Sequence, residues 1–80
     1  METYSVQDNR INVLFDRASD IKKDQQLRIE ALISFQQIIE NEKHLFEPGL
    51  FQIICGFLKD SMLEIREWTI DFLEFTFTTS

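Results

Sequence analysis

Leu27-Arg28-Ile29-Glu30-Ala31-Leu32-Ile33-Ser34-Phe35 returns, 38 residues further on, as Ile65-Arg66-Glu67-Trp68-Thr69-Ile70-Asp71-Phe72-Leu73. In both stretches a large aliphatic residue precedes an arginine. A small residue follows three places on (Ala31, Thr69) and a large apolar one four places after that (Phe35, Leu73). These spacings fall on one face of a helix. Self-similarity at roughly 40 residues marks stacked helical hairpins, an α-solenoid, because a single hairpin cannot bury its own apolar face and needs a neighbour to cover it. The competing reading is two unrelated amphipathic helices that match by chance. Stacked repeats present extended binding surfaces, so the expected class of activity is a non-catalytic protein-binding scaffold.

Working outward from the repeat, the chain reads as four helices joined by short turns: an all-α fold of two antiparallel helical hairpins, about residues 9–40 and 48–77. The first helix covers about Asn9 to Ser19, with Asp8 as N-cap and Ile11, Leu14, Phe15 and Ala18 as its apolar stripe. A turn follows at Ser19–Lys23, with Ile21 expected to tuck inward. The second helix runs from about Gln25 to Glu40, capped by Asp24, with Leu27, Ala31, Phe35, Ile38 and Ile39 as its main stripe. Ile29, Leu32 and Ile33 make it apolar on more than one side, as suits a helix held between neighbours. After the loop Asn41–His44, Pro48 opens a third helix to about Lys59, proline being tolerated in the first turn. Its inward side is expected to carry Leu50, Phe51, Ile54, Phe57 and Leu58, with Gly56 suggesting a close approach. The fourth helix runs from about Met62 to Phe77. Ser61 and Glu64 are spaced as a capping box, and Ile65, Thr69, Phe72, Leu73 and Phe77 form the stripe.

The 80 residues suffice for a single domain, read as the N-terminal piece of a longer solenoid. Apolar residues continue almost to Ser80, so the last helix is expected to carry more apolar surface than the third can cover. Exposure of Phe72, Phe75 and Phe77 would then let the chain self-associate. Net charge is −6, and the one adjacent lysine pair, Lys22-Lys23, falls in a turn. Nucleic acid and acidic membrane surfaces are therefore disfavoured as partners, since both recruit basic patches. No run approaches the roughly 20 apolar residues of a membrane span.

The chemistry-bearing residues are few. One cysteine (Cys55) and one histidine (His44) leave no disulfide, metal-ligand spacing or oriented Cys–His pair. Cys55 is expected to be a buried, inert thiol. No glycine-rich phosphate loop is present, and no catalytic residue, metal or cofactor is expected. The candidate partner-binding residues lie on the fourth helix. Glu64, Glu67, Asp71 and Glu74, at i, i+3, i+7 and i+10, form an acidic ridge with Trp68 beside it. The ridge reads either as a docking strip for a basic partner or as a solvated face, and Trp68 either as an anchor or as packing.

The order Asp60, Ile65-Arg66, Thr69, Leu73, with Pro48 opening the preceding helix, is similar to HEAT and armadillo-like repeats, whose arginine pairs with an aspartate of the turn or of a neighbouring repeat. Lys22 stands 38 residues before Asp60, so the first copy reads as an atypical terminal repeat. From Ile11 to Phe77 the chain resembles the symplekin family in its N-terminal HEAT-repeat domain. The resemblance starts at Ile11-Asn12-Val13-Leu14-Phe15-Asp16-Arg17-Ala18, passes through Leu27, Ile38-Ile39 and Pro48, and is sharpest at Leu63-Glu64-Ile65-Arg66-Glu67-Trp68-Thr69-Ile70-Asp71-Phe72-Leu73-Glu74. Trp68 stands where the family tends to have Phe, and Asp71 where it is small or neutral. The resemblance implies a nuclear scaffold of the mRNA 3′-end cleavage and polyadenylation machinery. Its implied partners are cleavage and polyadenylation subunits and a phosphatase of the polymerase II tail. The alternative is a karyopherin-like nuclear-transport receptor fragment or another HEAT-repeat adaptor, with a cytoplasmic location also open.

Overall fold

A computed structural model describes residues 9–79, with side chains through Thr76, and is helical with no strand among the described residues. Four α-helices follow one another: α1 (Asn9–Ser19), α2 (Gln25–Asn41), α3 (Pro48–Gly56) and α4 (Leu63–Thr79). Single 3-10 turns at Lys43–Leu45 and Phe57–Lys59 lead into and out of α3. Asp8, Phe77 and Ser80 fall wholly or in their side chains outside the described residues.

The sequence repeat and the helices coincide. α2 and α4 are each 17 residues long and start 38 residues apart. Both begin the same way: Arg28 N–H donates to Asp24 O and Arg66 N–H to Met62 O, each at 3.2 Å. α1 packs along α2 in the opposite direction, because Arg10 near its start forms a bidentate pair with Glu42 just past the end of α2 (3.2 and 3.3 Å). α2 and α4 touch and run in the same direction. Arg28 meets Asp60 ahead of α4, Gln36 meets Trp68, and Phe35 meets Phe72.

The core is an aromatic chain crossing these elements. Phe57 lies 6.1 Å from Phe15, Phe15 4.8 Å from Phe35, Phe35 5.5 Å from Phe72, and Phe72 5.9 Å from Phe46. Tilted and edge-on rings at such separations gain beyond the area they bury. Ile11, Ala18, Leu32, Leu50, Ile54 and Ile65 close around them. Because α2 touches both α1 and α4, its buried stripe is Arg28, Leu32, Phe35 and Ile39, flanked by Ile29 and Ala31. That rotates Leu27, expected inside, to 44% exposure.

Several expectations of side-chain placement are corrected. Ile21 is 75% exposed, since its turn closes on itself through Asp20, whose carboxylate accepts Lys22 N–H and whose carbonyl accepts Lys23 N–H. Phe72, a member of the inward stripe also expected to be exposed for self-association, is buried under Trp68 and between Phe35 and Phe46, so that exposure does not hold for it. Leu58 is exposed, because the tightened turn at Phe57–Lys59 carries it outward. Gly56 is not a close approach: a Cβ there would meet nothing within 4 Å. The caps also differ. Asp24 makes no side-chain cap bond, and α4 is opened by Asp60 Oδ1 accepting Met62 N–H at 2.8 Å rather than by a Ser61–Glu64 box.

Candidate functional site

Asp60 and Arg28 form the most tightly held polar cluster. The Arg28 side chain is 4% exposed and that of Asp60 10%, and they make an ion pair between Nη2 and Oδ2. Arg28 Nε also donates to Ala18 O, the end of α1, at 2.8 Å. Asp60 spends its second carboxylate oxygen on Met62 N–H, and its carbonyl accepts Arg66 Nη1 at 3.0 Å. One guanidinium thus ties α1, α2 and the turn before α4 together, with every buried polar side-chain atom among the described residues satisfied. A fully partnered ion pair of this kind holds geometry and leaves no group free for chemistry.

The aspartate that the 38-residue alignment assigns to Lys22 is present after all, as Asp20. Asp20 N–H donates to Arg17 O and Asp60 N–H to Phe57 O, both three residues back, and each carboxylate accepts the N–H two residues on. The two turns are built alike. The first is longer, five residues against three between the flanking helical segments, which displaces its aspartate by two positions. No periodicity argument at fixed spacing finds such an offset; the Asx-turn chemistry of Asp20 was the available signal.

The acidic residues singled out on α4 stay on its outer side: Glu64, Glu67, Asp71 and Glu74 are all exposed. No basic residue of α4 lies among them, since Arg66, its one cation, turns to Asp60. Among the described residues no ion pair reaches Glu64, Glu67 or Asp71. The ridge is not purely polar, for Leu63 at 58% and Ile70 at 48% exposure stand within it. Trp68 is separated from this face. It stacks on Phe72 at 5.1 Å with rings 15° apart, and its Nε1–H donates to Gln36 Oε1 at 2.9 Å. It is partly buried and fixes the register of α4 on α2.

Two recesses border these elements. One, of about 190 Å³, opens between the C-terminal halves of α2 and α4 and is lined by Ile39, Phe46, Phe72 and Phe75 with Lys43 at its rim. The other, about 420 Å³, lies at the turn end between Ile21, Ile53 and Phe57. Cys55 is a free thiol, partly rather than fully buried. Among the described residues no three His, Cys, Asp or Glu are placed to hold a metal ion, and no helix is long and apolar enough to cross a membrane. No family model, curated protein or solved structure matches the chain.

Proposed function

We propose that this chain is a HEAT-like α-solenoid module of two antiparallel helical hairpins, acting as a non-catalytic protein-binding scaffold. The observation that carries the reading is the equivalence of α2 and α4: equal length, parallel direction, the same 38-residue offset, and like-built turns before each. Repeats stacked in one direction leave a long outer surface, and such surfaces recognise other proteins by shape and charge. The acidic outer side of α4, with Glu64, Glu67, Asp71 and Glu74, is the surface proposed for that recognition, with Trp68 supporting it from beneath.

The resemblance of Leu63–Glu74 to the symplekin family supports a nuclear role in mRNA 3′-end processing. Capture from nuclear extract, with mass-spectrometric identification, tests this. Cleavage and polyadenylation subunits are expected with the wild-type chain. The Glu67→Lys, Asp71→Lys double variant is expected to lose them at an unchanged melting temperature. Recovery of a nuclear-transport GTPase in their place would overturn the assignment, and unchanged capture by the double variant would make the ridge a plain solvated face.

A further inference from the structure

The internal repeat relates the two sides of α4. The side of α2 that receives α4 makes its observed contacts through Arg28 with Asp60, Phe35 with Phe72 and Trp68, and Gln36 with Trp68. Ile29 and Leu32 lie between these points on the helix surface and are 8% and 0% exposed. Carried forward by 38 residues, the same side of α4 presents Arg66 for Arg28, Glu67 for Ile29, Ile70 for Leu32 and Glu74 for Gln36. The apolar centre is kept in Ile70, which is 48% exposed. The positions on either side of it have become acidic. α4 therefore repeats the seat on which it itself rests, with carboxylates set about the central aliphatic residue.

We infer that this seat, Glu67–Ile70–Glu74, receives an amphipathic helix of a partner protein that lays an apolar side chain on Ile70 and sets Lys or Arg, seven residues apart, against Glu67 and Glu74. The inference rests on the repeat-scaffold reading above and adds the partner's chemistry to it. Charge complementarity gives the sign, since carboxylates at Glu67 and Glu74 flank Ile70 while the one cation of α4, Arg66 at the edge of the seat, is directed to the Asp60 carbonyl. Continuity with the α2–α4 contact gives the geometry: a helix lying along another with contact points about two turns apart. A second copy of this chain is a poor occupant. On the far side of α2, the positions matching Trp68, Phe72 and Phe75 are Glu30, Ser34 and Gln37, all exposed. Stacking that side on α4 would offer no aromatic anchor and would bring Glu30 toward the acidic seat, an unfavourable like-charge contact.

The probe is a fluorescent, end-capped alanine-based helical peptide with Lys at i and i+7 and Leu at i+3 and i+4, read by anisotropy against the wild-type protein. Saturable binding is expected. Ile70→Asp should weaken it by about tenfold or more, as for a central anchor. Glu67→Lys with Glu74→Lys should transfer preference to the same peptide carrying Glu for Lys, and melting temperatures should be unchanged. Equal affinity for both peptides, indifference to Ile70→Asp, or no binding up to about 1 mM peptide would overturn the inference. So would a protein dimer that Ile70→Asp dissolves, since the occupant would then be a second copy. Capture of nuclear partners that survives Ile70→Asp would sink this seat while leaving the scaffold reading standing.

Discussion

Arg28 and Arg66 occupy the same place in the repeat and do different work. Arg28 is buried with an ion pair to Asp60 and a bond to Ala18 O, whereas Arg66 is half-exposed and bonds only a carbonyl of the turn among the contacts described. Removing one member of a buried pair leaves an uncompensated charge, at a cost of about 3–5 kcal/mol. Arg28→Met should therefore remove a large share, at least about a quarter, of the stability of a domain this size, roughly 4–12 kcal/mol. Arg66→Met should cost about 1 kcal/mol, as for a single hydrogen bond. Urea unfolding of the two variants checks the contrast, and equal losses would contradict it. Gly56 gives the opposite sign. Its φ is −61° and its Cβ position is open, so Gly56→Ala should stabilise by about 0.5–1 kcal/mol, chiefly by restricting the unfolded chain. A lower melting temperature would show that the open position is filled in solution. The repeat in the sequence marked Arg28 as special. That it is buried, while Leu27 before it is not, depends on α2 lying between α1 and α4, which a single helix pattern does not encode.

Among the elements, long periodic segments were the most legible. α1 is read from sequence with its observed bounds, and α2 ends one residue beyond the reading. The stripes of α1 and of the first half of α4 face inward as spacing predicts, with Ile11, Phe15, Ala18, Ile65 and Thr69 buried. Thr69 is accommodated there by donating its hydroxyl to Ile65 O at 2.7 Å. Phe72 reads from sequence both as part of the inward stripe of α4 and as surplus apolar surface; the stripe holds, and it is the ring that joins α2, α4 and Phe46. Phe72→Ala should accordingly cost about 3–5 kcal/mol by equilibrium unfolding, as for a buried aromatic. A loss under about 0.5 kcal/mol, typical of a surface position, would contradict its placement. The turns were less legible than the helices, because Asp20 and Asp60 close like turns at different spacings. Trp68 was ambiguous for another reason: its partner Gln36 lies 32 residues away, and no local pattern announces it.

Over the whole molecule, charge is unevenly spread. Arg17, Lys22, Lys23 and Lys59 lie among Asp16, Asp20, Asp24 and Asp60 toward the end where the two turns lie, while the outer side of α4 is acidic and interrupted by Leu63 and Ile70. The far side of α2 has Glu30, Ser34 and Gln37 in the places of the aromatic residues that seat α4 on α2, with Leu27 and Ile33 exposed beside them. The two outer surfaces thus differ chiefly in charge, that of α4 being the more acidic. Composition alone gave the acidic sum and disfavoured nucleic acid. Which face holds the charge and which aliphatic side chains stand within it required the packing of α2 against α4. The most direct test of this asymmetry is photo-crosslinking in nuclear extract from chains carrying a photoreactive residue in place of Ile70 or, separately, of Ser34. A discrete protein adduct from position 70 and none from position 34 is the predicted result. Adducts of equal yield from both positions, or from position 34 alone, would contradict it.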